Sequence, residues 1–231
     1  MNFVFVDDTG DAGKELSKGA SAHFGMASLN IRDKDYEALR QLLSQIHWLS
    51  GTASIIGLGK ESVRALNLLR GLKELARYGI VTASGLYINK TEYGGRYLTW
   101  SDIDVPEGEW PYYLRNYLLR HLLESHFKAL GTLTEPVDLV LDRVLLTESQ
   151  RKNTFEYLNS QTAIPLRQAF TIPSIAHLTI ADSEYVGGLE IAHVLADILK
   201  KHAKRAISRS ETEVSDFIRI EEFVGDKKAA K

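Results

Sequence analysis

Apolar residues along this chain fall into short runs and helical stripes that alternate in a readable order. The first run, Phe3-Val4-Phe5-Val6, is aromatic and β-branched and stops at two adjacent carboxylates, Asp7 and Asp8, before Thr9 and Gly10. Such a run bounded by turn residues predicts a buried strand. A Gly/Ser/Lys-rich hairpin loop from Asp11 to Ala22 leads to a second predicted strand, His23–Ile31. Asp33 is placed to cap a helix running to about Trp48, because Tyr36, Leu39, Leu42, Leu43 and Ile46 recur at helical spacing. The pattern next predicts a short strand at Ser54–Leu58 and a helix from Lys60 to Tyr78, stopped by Gly79. A long strand, Ile80–Asn89, follows, with Lys90 at its end.

The stretch Thr91–Glu109 is polar and turn-rich and reads as a surface loop or lid. Pro111 suits the first turn of a long helix ending at Leu130. Val137–Val144 is a strand that carries Asp142 near its end, and a helix covers about Ser149 to Asn159. A strand over Ser174–Ile180 and a closing helix from Gly188 to about Arg205 complete the series. Strands first, then strands alternating with helices, predict an α/β fold with a mixed sheet flanked by helices.

Composition narrows the class. A chain of 231 residues forms one domain by default, read here as residues 1–224 with a disordered tail over 225–231. Its 28 basic and 30 acidic residues leave a net charge of −2, which argues against a broad basic surface but allows a local patch. There is no cysteine, so disulfides, zinc–thiolate sites and thiol nucleophiles are excluded. No window approaches a membrane span, and Asp7 and Asp8 interrupt the only apolar run near the start, so no secretory leader is read and a cytoplasmic location is expected.

The candidate chemistry lies in acids at the ends of apolar elements. Adjacent carboxylates at the end of a buried strand repel one another and lose hydration, so a cation is expected beside them. Period-two alternation sends Asp7 and Asp8 to opposite faces; Asp7 has the stronger claim to a site, and Asp8-Thr9-Gly10 also suits a plain turn. Asp142 sits at the sixth position of an apolar strand, where the bland alternative is a surface pair with Arg143. On the closing helix Glu190, His193 and Asp197 occupy an arc of roughly 60° on an otherwise apolar surface, though polar stripes often just face water. Phosphodiester hydrolysis needs this kind of set. Two Mg²⁺ ions about 3.5–4 Å apart stabilise the attacking and leaving oxygens and activate water, and hard cations take carboxylate oxygens. Asp7, Asp8, Asp142, Glu190 and Asp197 are the candidate metal ligands, His193 a ligand or proton-transfer residue, and Lys90 and Arg143 candidate phosphate contacts.

These motifs, in this order, resemble the large and mostly bacterial family called domain of unknown function 3800. Its opening strand leads into Asp-Glu-Ser-Gly, where Asp7-Asp8-Thr9-Gly10 stands here. A middle strand ending in Asp and a basic residue corresponds to Asp142-Arg143. An Asp-Ser pair before a Leu-Gln-Leu-Ala-Asp helix corresponds to Asp182-Ser183 and Leu189-Glu190-Ile191-Ala192-His193. Smaller echoes are Ile88-Asn89-Lys90 and the Tyr/Arg-rich helix from Tyr112 to Glu124. The resemblance spans nearly the whole chain and implies a ribonuclease H-like fold with inserted helices and a Mg²⁺- or Mn²⁺-dependent nuclease acting on nucleic acid. The chief departure is His193 at the register of the helix Asp, with Asp197 one turn further on. The departure leaves open a non-catalytic module that binds nucleic acid or a protein partner, in a homo-oligomer or a phage- or mobile-element-defence setting. A haloacid-dehalogenase-like phosphatase also begins with a strand ending in Asp but needs an acid two residues on, where Thr9 stands.

Overall fold

The computed structural model describes residues 1–13, 21–50, 63–93, 109–130, 135–143, 146–160 and 172–224. The strand read at Ser54–Leu58, the first turn of the helix from Lys60, most of the Thr91–Glu109 loop and the tail from Gly225 lie outside them.

Six strands form one mixed sheet: β1 (Asn2–Gly10), β2 (His23–Arg32), β3 (Val81–Asn89), β4 (Val137–Asp142), β5 (Ile175–Ala181) and β6 (Ile218–Glu222), in the order β5-β4-β1-β2-β3-β6. The first three strands make an antiparallel meander, while β4 runs parallel to β1, β5 to β4 and β6 to β3. The helices are α1 (Tyr36–Ser50), entered through a 3₁₀ turn at Asp33–Asp35, α2 (Val63–Arg77), α3 (Trp110–Leu130), α4 (Glu148–Ser160), α5 (Gly187–Ala203) and α6 (Arg209–Ser215). The chain is thus α/β with a mixed sheet flanked by helices. No helix among the described residues is long and apolar enough to cross a membrane.

Both faces of the central strands are buried, so β1 reads as a continuous apolar run. One face gathers Phe5, Ala27, Leu29 and Val140 under α1, α2, α5 and α6. The other gathers Val4, Val6, Phe24, Met26, Leu139 and Leu141 under α3 and α4. The last two elements, α6 and β6, were not foreseen from the pattern. Their signals are local: Ser208 and Glu211 form a reciprocal capping box at the start of α6, and β6 is a short edge strand beside β3.

Two glycines fix the geometry around the end of β1. Gly10 has φ +86°, and a Cβ there would stand 2.2 Å from the His23 carbonyl oxygen, so only glycine closes this end of the strand. Gly188 lets the first turn of α5 rest on the Phe5 ring, which an added Cβ would approach to 2.5 Å. Phe5 is buried in the core and cannot swing away. Gly188→Ala is therefore expected to cost about 1–3 kcal/mol through overpacking, read as a lowered midpoint in chemical denaturation.

A second consequence follows from His126 on α3. Its Nδ1 lies 3.0 Å from Ser28 Oγ and 3.0 Å from Ser84 Oγ, while Nε2 is buried with no hydrogen-bond partner among the described residues. Burial holds the imidazole down to about 4. Between the ordinary histidine value of about 6.5 and that depressed value, the unfolded chain binds a proton that the folded chain refuses. Stability from this group is full above pH ~6.5 and is lost as pH falls toward 4, by about 3 kcal/mol in all. Urea denaturation at pH 7 and pH 4.5 should show wild type losing about 2–3 kcal/mol more than His126→Asn. Equal losses would mean that the imidazole is not held neutral.

Candidate functional site

The parallel register of β1 and β4 creates the site. Val6 pairs with Leu141, so the next residue of each strand, Asp7 and Asp142, ends up side by side. Asp7 follows Phe5 and Asp142 follows Val140 on the face covered by α5, so both carboxylates project there from adjacent strand ends. From α5, His193 places Nδ1 2.8 Å from Asp7 Oδ2. One ligand atom from each of Asp7, Asp142 and His193 can be chosen so that all three lie within 4.8 Å of one another.

Each carboxylate is also held by the backbone. Asp7 Oδ1 accepts the Asp8 N–H at 2.7 Å, and Asp142 Oδ1 accepts the Ser183 N–H at 3.0 Å. The second contact gives the Asp182-Ser183 pair a role: the turn after β5 clamps Asp142. Asp7 is only 6 % exposed, and burial, helped by the charge of Asp142, pushes its carboxyl above the ordinary range against the pull of the His193 bond. The bond to Asp7 in turn raises the His193 imidazole above its usual value, outweighing burial. Both shifts share one origin. Two carboxylates crowd a poorly hydrated spot, and positive charge is favoured beside them.

A divalent cation is one source of that charge. Carboxylate oxygens bind at about 2.0–2.6 Å, so the ligands of a single ion lie up to about 4–5 Å apart, and the cluster is compact enough for one. Two carboxylates with an imidazole suit Mn²⁺ better than Mg²⁺, which prefers an all-oxygen shell.

The remaining sequence candidates go elsewhere. Asp8 points to the opposite face of β1, where Arg115 Nε of α3 donates to its Oδ2 at 2.8 Å. Glu190 is buried and turned toward α1, its Oε1 3.0 Å from His47 Nε2, so it does not join Asp7 and Asp142. Asp197 is exposed one turn beyond His193 and acts on that imidazole by charge alone. Lys90 is buried, and its ammonium donates to the Gly13 carbonyl at 2.6 Å, which removes it as a phosphate contact. Burial lowers its affinity for the proton, with Asp11 opposing. Arg143 does stand at the site. Its side chain is 74 % exposed, with Nη1 3.6 Å from Asp182 Oδ2.

An open cleft runs along the α3 side of the same strand ends, lined by Asp7, Asp8, Arg115, Asn116, Asp142 and Arg143 among others. Arg115 and Asn116 were not singled out in the sequence. The available signal was an Arg-Asn pair between the buried Leu114 and Tyr117 of the helix that runs from Trp110; in the folded chain the Arg115 guanidinium also lies 5.9 Å from the centre of the Phe24 ring. No family model and no curated protein matches the chain, so the site rests on its own geometry.

Asp142→Asn and Glu190→Gln separate the ligand cluster from its neighbour. With Mn²⁺ at a hundredfold excess over Kd, wild type should melt about 5–10 °C higher than without it. Asp142→Asn should lose that gain, while Glu190→Gln, which removes the carboxylate charge from the contact with His47, should lower the melting temperature yet keep the gain. Loss of the gain in Glu190→Gln would place Glu190 among the ligands after all.

Proposed function

We propose that the chain is a ribonuclease H-like, divalent-metal-dependent nuclease of the domain of unknown function 3800 type. The observation that carries this reading is the Asp7–Asp142 pair on adjacent parallel strand ends, with His193 within hydrogen-bonding distance and a cleft carrying two arginines beside it. The central first strand, the antiparallel meander on one side of it and the parallel strands on the other support the fold assignment.

Asp7, Asp142 and His193 would hold the ion. Bound there, Mn²⁺ or Mg²⁺ would supply positive charge beside the phosphodiester oxygens and would lower the pKa of a water. The chain's own residues do the rest. Arg115 is oriented by the Asp8 carboxylate and the Phe24 ring, so its guanidinium faces the cleft with its position already fixed. Arg143, at the mouth, offers donors in the fork geometry that suits a phosphate. Ser183 keeps Asp142 aimed, and the Asp8 N–H does the same for Asp7. Of the five carboxylates read from the sequence, only two enter the cluster, so the proposal is for one assembled ion site on protein ligands.

The 2.8 Å contact between His193 and Asp7 favours one further reading. A protonated imidazole there takes the place of a cation, and the protein then binds nucleic acid or a protein partner without cutting. Cleavage of labelled single- and double-stranded DNA, RNA and a hybrid, with Mn²⁺ and with Mg²⁺, decides between them. Cleavage by wild type that falls at least a hundredfold in Asp142→Ala supports the nuclease. Binding without cleavage supports the module, and cleavage undiminished in Asp142→Ala would overturn the site.

A further inference from the structure

We infer that the turn after β5 carries a platform for an unpaired nucleobase, with the ring of Tyr185 stacking a base of single-stranded nucleic acid whose backbone enters the cleft at Arg143. This rests on the reading of the Asp7–Asp142 site as one that receives a phosphodiester. Tyr185 is 83 % exposed, a large flat ring left in water. An exposed aromatic side chain alone needs no explanation. This one is different because its backbone is tied to the site. The Tyr185 N–H donates to the Asp182 carbonyl at 3.0 Å, and the Glu184 N–H donates to Asp182 Oδ1 at 3.0 Å. Between them, the Ser183 N–H holds Asp142 Oδ1, and Arg143 reaches the Asp182 carboxylate. The ring is thus mounted on the turn that clamps a candidate ligand.

Base accessibility and charge both point to a single strand. Only Glu184 lies between Ser183 and Tyr185, so their Cα atoms lie within about 8 Å, roughly two stacked nucleotide steps of about 3.4 Å. A base in a duplex has both faces covered by its neighbours, whereas an unpaired base offers a face to an aromatic ring whatever its identity. A net charge of −2 argues against a broad cationic surface on which a duplex could lie. Affinity must come from short-range contacts, and stacking is the one an exposed tyrosine supplies.

The test is fluorescence anisotropy with labelled 12-nucleotide oligothymidine and oligouridine and a DNA duplex of equal length, in EDTA and again with Ca²⁺. Wild type should bind at least one single strand about tenfold more tightly than the duplex. Tyr185→Ala should weaken that binding about tenfold while melting at the wild-type temperature, and Tyr185→Phe should stay within about twofold. Duplex binding should not change. Equal single-strand binding by Tyr185→Ala and wild type, no single-strand binding by wild type, or equal preference for duplex would each overturn the inference. A Tyr185 effect on binding without any cleavage in Mn²⁺ leaves the platform standing and removes the nuclease. Cleavage with no Tyr185 effect on binding does the reverse.

Discussion

A buried carboxylate at a strand end costs several kcal/mol unless its charge is matched, and the architecture around Asp7 answers that cost. The parallel pairing of β1 with β4 makes the problem worse by bringing Asp142 alongside. Three features then compensate: the Asp8 N–H on one oxygen of Asp7, the His193 imidazole on the other, and the Ser183 N–H on Asp142. The His193 contact would be out of reach if α5 sat a few ångströms higher on the sheet. The bare backbone of Gly188 against Phe5 brings it down, and the buried leucines and alanines of α5 keep it there.

Strand alternation divides the work between the two sides of the sheet. Asp7 and Asp142 project toward α5, while Asp8 projects toward α3. A single run of two acids thereby serves two ends: one carboxylate joins the cluster with Asp142 and His193, and its neighbour anchors a cation, Arg115, in the adjoining cleft. In the proposed nuclease, negative ligands and positive phosphate contacts would have to lie close together without cancelling each other. Placing them on opposite sides of one strand achieves that separation.

The α5 stripe shows how far helical periodicity can be trusted. Glu190, His193 and Asp197 do share one arc, yet each meets a different neighbour because the helix crosses the sheet with α1 beside its first turns. Glu190 finds His47, His193 finds Asp7, and Asp197 reaches solvent. An arc of side chains specifies a direction from the helix axis. What lies in that direction changes with every turn.

The sequence by itself determined the apolar runs and with them nearly every strand and helix, because burial on both faces leaves a central strand few polar positions away from its ends. It also marked Asp7 and Asp142, since acids break those runs where the strands emerge, and it sent Asp7 and Asp8 to opposite faces through the two-residue period. The α6 capping box and the β6 edge were legible but short, and short signals lose to longer ones. Tertiary structure alone decided that β4 lies next to β1 in parallel, that the Ser183 backbone closes on Asp142, and that Arg115 joins Asp8 across 107 residues of chain. It also decided that Lys90 is spent on the Gly13 carbonyl and Glu190 on His47. Partner choice across such separations depends on packing in three dimensions, and local pattern carries no record of it.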